Sequence, residues 1–291
     1  MINKLTLALT LLAVPAFAAN PQSDTYLALG DSIAFGMNPL LLPPYTSGIP
    51  SPDKFVGFPE AFADLTNLPA KKLANASCPG ETSASFLDHN MPDLGCNSPH
   101  VNPDAPPFKS LALHESYSGS QMDYAMLKLA ESPRINLVTL TIGANDALMA
   151  LPQIQQCGND AACAAAKVGA MLDAYGGNLA IILNRIRSRY QGTLILTKYY
   201  SPAPELDTIT VALNTVMTTV AMKLAAQPGF APVQFADGFT GFKIAAMTKG
   251  GDACAAGLLI RFTPTACDVH PSEKGRELLA FLVRVAQLTR P

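Results

Sequence analysis

Charged residues are scarce in this sequence: Lys, Arg, Asp and Glu make up 14% of its 291 residues, and the formal net charge is −2. No cluster of Lys and Arg stands out, since Arg185–Arg189 is best interpreted as the solvated end of a helix. The charge distribution predicts no positively charged surface that would bind a polyanion, and we expect no nucleic-acid partner. Hydrophobic residues, at 49%, are instead sufficient for a large core, so disorder is not expected.

Common zinc motifs are also missing. The chain contains neither a C-x-x-C nor an H-E-x-x-H pattern, so we expect no metal and no other cofactor. Six cysteines are present, and they fit an oxidising compartment. Many connectivities are possible for six cysteines. We favour pairing of neighbours because each pair flanks a predicted surface loop: Cys78–Cys96, Cys157–Cys163 and Cys254–Cys267.

The N-terminus has the pattern of a secretory signal peptide. Met1–Lys4 carries one positive charge, and the apolar run Leu5–Val14 is too short to span a bilayer comfortably. Small residues at Ala16 and Ala18 fit a signal-peptidase site. We predict a signal peptide over residues 1–18 with cleavage near Ala18/Ala19, a secreted or periplasmic protein, and no transmembrane segment in the mature chain.

The remaining residues, 19–291, are predicted to form one α/β domain. Apolar segments bounded by turn residues predict five strands: Thr25–Leu29, Lys72–Ala76, Ile135–Ile142, Thr193–Thr197 and Pro232–Phe235. Helical patterns follow between and after them: Gln121–Glu131, Ala161–Arg187, Asp207–Ala225 and Ser272 to about Leu288. This alternation predicts a parallel sheet covered on both faces, with sites at the carboxyl ends of its strands. Two irregular segments, Met37–Phe58 and Asn97–Ser120, are predicted to be long loops around the mouth of such a site.

A serine and a histidine stand next to predicted strand or helix ends. The first strand runs into Gly30-Asp31-Ser32, which places Ser32 at the carboxyl edge of the sheet beside a helix N-terminus. His270 lies just before the last helix, and Pro271 restricts its backbone to extended geometry. The three remaining histidines are interpreted as structural: His89, His100 and His114.

Two hydrogen-bond donors also follow strands. Gly80, in the Pro79-Gly80-Glu81 turn, allows its backbone N–H to approach a ligand closely. Asn145 offers a side-chain amide just where the chain leaves the most hydrophobic strand. Its neighbour Asp146 is interpreted as a helix cap or a loop-bracing group.

In this order the four motifs resemble those of the SGNH (GDSL) hydrolase family, whose blocks read Gly-Asp-Ser, a glycine, Gly-x-Asn-Asp and Asp-x-x-His-Pro. The resemblance spans Leu27 to Pro271. The segment Asn75–Thr82, with Cys78 before Pro-Gly-Glu-Thr, is especially similar to the secreted, disulfide-containing lipase and esterase branch known from actinomycetes, which also pairs its cysteines between neighbours. The resemblance implies a three-layer α/β/α, flavodoxin-like fold with a five-stranded parallel sheet.

The resemblance also implies roles for the residues. Ser32 is expected to be the nucleophile and His270 its general base, with the Ser32 N–H, the Gly80 N–H and the Asn145 side chain as the oxyanion hole. The family usually places its acid three residues before the histidine, and Cys267 stands there. Two alternatives therefore remain for the group that orients His270: the Asp268 carboxylate or a backbone carbonyl near Cys267.

The function predicted on this basis is hydrolysis of a small-molecule or lipid carboxylic ester through an acyl-enzyme, by a monomer. The apolar segment Pro39–Pro44 is a candidate acyl pocket and favours a lipase or medium-chain esterase. A carbohydrate acetylesterase, a phospholipase and, in a different class, a catalytically silent extracellular binding protein are the alternatives. The α/β-hydrolase alternative is disfavoured because no G-x-S-x-G elbow occurs.

Overall fold

A computed structural model describes residues 25–98, 106–263 and 266–289. The predicted signal peptide and its cleavage site, as well as His100, lie outside the described residues. Five strands form one sheet: β1 (Thr25–Gly30), β2 (Leu73–Asn75), β3 (Ile135–Thr141), β4 (Thr193–Lys198) and β5 (Gln234–Asp237). Their order is β2-β1-β3-β4-β5 and every neighbouring pair is parallel, so the predicted α/β fold with a five-stranded parallel sheet is confirmed.

The central strands are apolar along their whole length because helices cover both faces of the sheet. In β3 every residue except Asn136 is buried, and β4 is buried until its last residue. Continuous apolar runs of this kind were the signal that predicted the strands. The bounds differ from the predicted ones by two residues at most.

Ten α-helices surround the sheet among the described residues. The four predicted ones are α5 (Gln121–Glu131), α7 (Ala161–Arg187), α8 (Asp207–Ala225) and α10 (Glu273–Leu288). The others are α1 (Ser32–Phe35), α2 (Phe58–Leu65), α3 (Ser83–Leu87), α4 (Phe108–Leu111), α6 (Ala144–Gln155) and α9 (Gly238–Ala245). Helices α2, α9 and α10 pack together as one layer, and α3, α5, α7 and α8 form the second.

A two-stranded antiparallel hairpin lies apart from the main sheet. It comprises β6 (Leu259–Thr263) and β7 (Ala266–Pro271), with Arg261 opposite Cys267 and Leu259 opposite Pro271. It leads directly into α10, whose first turn is capped by Ser272 accepting a hydrogen bond from the Gly275 N–H. His270 therefore lies on a strand and not in a loop.

In the described parts of the two predicted long loops, the regular elements are short helices. Pro39–Leu41 and Pro52–Lys54 are single 3-10 turns, and α4 is one α-helical turn. A small apolar cluster holds these segments against the first turn after β1: Phe35, Phe55, Cys78, Cys96 and Leu113. The loops therefore lie around the carboxyl edge of β1, as predicted from their position in the chain.

The structure contains three disulfides, Cys78–Cys96, Cys157–Cys163 and Cys254–Cys267, which are the neighbour pairs expected from the sequence. One stretch of the described chain, Pro204–Ala225, is long and apolar enough by length and composition to cross a membrane. It includes α8, which packs on α7 and buries Leu213, Met217 and Leu224 in the core.

Candidate active site

Ser32 lies at the carboxyl edge of the sheet as the first residue of α1. Asp31 caps this helix by accepting a hydrogen bond from the Ile33 N–H at 3.0 Å, and its own N–H donates to the Thr141 carbonyl of β3 at 2.9 Å. Gly30 makes the sharp exit possible, because a Cβ there would lie 2.0 Å from the Thr141 carbonyl oxygen. The turn is thus fixed on both sides of the serine.

Asp31 itself is fully buried beneath Ser32. Its second carboxylate oxygen accepts a hydrogen bond from the Tyr199 hydroxyl. Burial raises the pKa of Asp31 to about 6, although the hydrogen bonds from Tyr199 and Ile33 act in the opposite direction. Asp31 therefore stabilises the turn and does not face the hydroxyl of Ser32.

The imidazole of His270 reaches Ser32 from the hairpin. His270 Nε2 lies 2.8 Å from Ser32 Oγ, and His270 Nδ1 contacts Asp268 Oδ1. An ionised carboxylate can only accept, so the proton is on Nδ1 and the lone pair of Nε2 faces the serine hydroxyl. This arrangement is the one that a neutral hydroxyl needs to become a nucleophile.

Asp268 binds both the backbone and the ring of His270. The same Oδ1 accepts the His270 backbone N–H at 3.0 Å. Burial acts to raise the pKa of Asp268, but the hydrogen bonds and the charge of His270 outweigh it and lower that pKa below its ordinary value. A spacing of two residues suffices here because residues i and i+2 of a strand point to the same face.

Two contacts, a disulfide and a hydrogen bond, hold the hairpin in place. The Cys254–Cys267 disulfide ties β7, one residue before Asp268, to the segment that precedes β6. The Tyr200 hydroxyl donates a hydrogen bond of 2.5 Å to the Val269 carbonyl. The chain is therefore anchored at Cys267 and at Val269, directly before His270.

Gly80 occupies the third position of a tight turn after β2. The Glu81 N–H closes the turn on the Cys78 carbonyl at 3.2 Å, and Gly80 has φ of 83°. A Cβ at Gly80 would lie 2.3 Å from the Leu94 carbonyl carbon, so both the φ and the space require glycine. Within the described residues, no group accepts a hydrogen bond from the Gly80 or Ser32 N–H, which leaves both donors available.

Asn145 is buried in the first turn of α6 and contacts the Gly80 turn. Its Nδ2 donates to the Glu81 carbonyl at 2.8 Å, with the side chain 5% exposed. An amide nitrogen carries two hydrogens, so one N–H of Asn145 is left for a ligand. The structure thus brings the Asn145 side chain next to the turn that contains Gly80.

Comparison with known proteins identifies the scaffold. The sequence pattern of the GDSL-like lipase/acylhydrolase family matches residues 28–278, from β1 into α10. The chain belongs to this family. It is a carboxylic ester hydrolase of the GDSL type.

Two solved structures share the fold at low sequence identity. Phospholipase A1 from Streptomyces albidoflavus is 19% identical, with a TM-score of 0.50 over 90% of this chain and 98% of that one. An acetylxylan esterase from Geobacillus stearothermophilus is 14% identical, with a TM-score of 0.54 over 92% of this chain and 96% of that one. No curated protein sequence matches the chain significantly. These likenesses establish the architecture of the GDSL chain.

Asp146 of the GDSL chain braces a neighbouring helix, in agreement with the structural role expected for it. Its carboxylate accepts hydrogen bonds from the backbone N–H of Ser83 at 2.9 Å and from the hydroxyl of Ser83 at 2.5 Å. Burial raises the pKa of Asp146 despite these two bonds. His114 is likewise structural, since its Nε2 lies 3.0 Å from the Phe35 carbonyl and its ring packs on Phe35.

Only one group of side chains in the described part of the chain has the spacing of a metal site: Cys78, Glu81 and Cys96. Both sulfurs of this group form the Cys78–Cys96 disulfide. A disulfide sulfur is not a thiolate and binds metal poorly, so Glu81 is left as a single ligand. The donor set does not fit a metal.

Two polar residues at the site carried no role in the sequence analysis. Gln121 and Glu81 are fully buried next to the Ser32 and Gly80 turns. Gln121 contacts Gly30 and Glu81, which lie 91 and 40 residues away along the chain, so no local pattern reveals these contacts. The only sequence signal for a role of Gln121 is its position as a polar residue at the start of an amphipathic helix. Polar residues are common at exposed helix ends, so this signal does not single out Gln121.

Proposed function

We propose that this GDSL hydrolase cleaves carboxylic esters through an acyl-enzyme on Ser32, with His270 as the general base. The supporting observation is the distance of 2.8 Å between His270 Nε2 and Ser32 Oγ in a histidine whose other nitrogen faces a carboxylate. Ser32 Oγ attacks the ester carbonyl carbon while its proton passes to Nε2. His270 then returns the proton to the leaving alcohol, and a water, activated in the same way, releases the acid.

Asp268 is proposed as the third member of the triad. Its contact with Nδ1 fixes the tautomer and favours the imidazolium that forms when Ser32 reacts. The alternative from the sequence, a backbone carbonyl near Cys267, has less support, because Nδ1 faces the carboxylate of Asp268.

The oxyanion of the tetrahedral intermediate is proposed to bind three donors: the Ser32 N–H, the Gly80 N–H and Asn145 Nδ2. All three follow the carboxyl ends of neighbouring strands. Gly80 and Asn145 are buried, and donors fixed in a site with little water stabilise developing charge strongly. The link from Asn145 to the Glu81 carbonyl sets its distance from Gly80.

A fluorophosphonate probe tests this assignment and also the silent-binder alternative. The probe is expected to label the native protein, and Ser32→Ala is expected to lose both labelling and esterase turnover. Ser83→Ala is a suitable control, because Ser83 is buried and hydrogen-bonded to Asp146 outside the proposed triad. Equal labelling of Ser32→Ala and the native protein would refute the assignment of Ser32.

A lipid or medium-chain acyl ester is the proposed substrate class. Large apolar side chains are exposed on the hairpin of His270 and on the loop after β1: Tyr45, Ile49, Phe262 and Val269. Tyr45 stacks on Phe262 with 5.8 Å between ring centroids, so the loop and the hairpin form one apolar surface. The two solved relatives, a phospholipase A1 and an acetylxylan esterase, differ in acyl group and do not decide the matter.

A chain-length series of p-nitrophenyl esters measures this preference directly. We expect kcat/KM to rise from acetyl to medium-chain esters, because each added CH₂ gains about 0.8 kcal/mol when buried. Activity confined to acetyl esters would contradict the lipid proposal and favour a carbohydrate acetylesterase.

Export from the cytoplasm is proposed from the three disulfides together with the N-terminal sequence pattern. Cell fractionation followed by N-terminal sequencing tests this proposal. A mature N-terminus near Ala19 in the periplasm or the medium is expected, and an uncleaved cytoplasmic protein would contradict it.

A further inference from the structure

Gln121 bridges the backbone of the residue that precedes the Asp31-Ser32 turn. Its Oε1 accepts the Gly30 N–H at 2.6 Å, and its Nε2 donates to the Gly30 carbonyl at 2.9 Å. The side chain is fully buried at the first turn of α5. One amide therefore satisfies both polar groups of a backbone residue that lies 91 positions away.

The topology explains why the Gly30 backbone needs such a partner. Strand β2 has only three residues and pairs with β1 as far as Ala28. Beyond β2, the Cys78 N–H reaches the Gly30 carbonyl at 2.9 Å, but no backbone group of that segment accepts the Gly30 N–H. Gln121 takes the place of the missing strand residue, and an unpaired buried N–H would cost about 1–3 kcal/mol.

Glu81 extends the bridge to the two other oxyanion donors. Its Oε2 accepts Gln121 Nε2 at 3.0 Å, and its Oε1 accepts the Ser85 hydroxyl at 2.6 Å. Its backbone carbonyl accepts Asn145 Nδ2 at 2.8 Å, and its backbone follows directly on Gly80. Glu81 thus contacts the segments of Gly80 and Asn145, while Gln121 connects it to the segment of Ser32.

We propose that Gln121 and Glu81 are positioning residues that set the mutual distances of the Ser32, Gly80 and Asn145 donors. The inference rests on the proposed oxyanion hole. Neither side chain touches the reacting atoms, so the effect on turnover passes through the three donors. A glutamine is required at position 121 because the bridge needs one acceptor and two donor hydrogens on a single planar group.

A double-mutant cycle distinguishes positioning from general support of the fold. Gln121→Met keeps the length of the side chain and removes its polar atoms, and it is expected to lower kcat by about 10-fold or more with KM changed by less than about threefold. Asn145→Ala is expected to lose about 10²–10³ in kcat. In the Asn145→Ala background the effect of Gln121→Met is expected to be smaller by at least about threefold, because one of the three donors whose mutual distances Gln121 sets is already absent.

Inhibition by a trifluoromethyl ketone gives an independent measure of how well the oxyanion hole stabilises an anion. Ser32 Oγ adds to the ketone carbon, its proton passes to His270, and the ketone oxygen becomes the anion in the hole. The inhibition constant of Gln121→Met is expected to rise by the same factor by which kcat/KM falls. An unchanged inhibition constant, or independent effects in the cycle, would overturn the proposal.

One further variant serves as a control. Thr139→Val, on β3, removes a buried 2.8 Å hydrogen bond to Tyr26 on β1, away from the carboxyl ends of these two strands, and is expected to lower stability while kcat stays within about threefold. A loss of kcat in Thr139→Val as large as that of Gln121→Met would overturn the proposal.

If Gln121→Met does not fold, Gln121→Asn replaces it in the cycle, since its amide is one methylene too short to reach both Gly30 and Glu81. Failure of the proposed function is a separate outcome. It would appear as fluorophosphonate labelling of Ser32→Ala, a result that does not depend on Gln121.

Discussion

The carboxylate of Asp268 accepts hydrogen bonds from both the backbone and the ring of His270, so its removal acts on the orientation of the general base. In Asp268→Asn the amide can present an N–H to Nδ1, which would place the imidazole proton on Nε2, facing Ser32. We expect kcat to fall by about 10³–10⁴ with little change in KM, as in serine-protease triads. Steady-state kinetics with a p-nitrophenyl ester measures both parameters.

Asp237→Asn provides the control for this change at the residue scale. Asp237 caps α9 by accepting the Thr240 N–H at 3.0 Å, so the variant makes the same chemical change at another structural carboxylate. Its kcat is expected to stay within about threefold of the native value. A loss below about 10-fold in Asp268→Asn would support instead a backbone carbonyl as the group that orients His270.

At the scale of elements, the β6–β7 hairpin depends on its disulfide for the position of His270. Replacing Cys254 and Cys267 by serine is expected to lower the free energy of unfolding by about 3 kcal/mol, given their separation of 13 residues. It is also expected to lower kcat by about 10-fold or more, because the segment before Asp268 is released. Urea unfolding and turnover at the same temperature give the two quantities.

The Cys157–Cys163 disulfide offers a matched control for the hairpin. It closes a separation of 6 residues between the end of α6 and the start of α7, and its loss is expected to cost about 2 kcal/mol. Cys157 follows the end of α6, whereas Asn145 lies in its first turn, so roughly 15 Å of helix separates the two and kcat is expected to change by less than about twofold. Equal losses of kcat in the two double-serine variants would contradict the prediction that the hairpin disulfide positions His270.

The same scale shows what the sequence can predict. The five strands were recognisable because each was predicted from a short apolar run. The motifs that follow these strands then lie together, because the carboxyl ends of parallel strands meet at one edge of the sheet. The hairpin escaped prediction because β6 and β7 mix exposed and buried residues without alternation. The contact of Asp268 with His270 depends on the backbone of that hairpin, so spacing alone left the orienting group open.

Among the described residues of the whole molecule, four carboxyls have raised pKa values: Asp31 and Glu81, which are fully buried, and Glu60 and Asp146, which are partly buried. Burial is the largest cause in each case. Glu81 has the best-defined consequence, since its pKa rises from 4.5 to about 7 while Ser85 and Gln121 oppose the shift. The folded protein therefore holds this proton at pH values where the unfolded chain has released it.

The sign of the pH dependence follows from this difference. Between the unfolded value of 4.5 and the folded value of about 7, the native state binds more protons than the unfolded state, so the free energy of unfolding falls as pH rises. The contribution of Glu81 over this window is roughly 3 kcal/mol, and it levels off above the folded pKa. In urea unfolding, the free energy of unfolding of Glu81→Gln is expected to fall less steeply between pH 5 and 7 than that of the native protein. The amide keeps an acceptor for Gln121 but does not titrate, so equal slopes in the two proteins would show that Glu81 stays ionised in the fold.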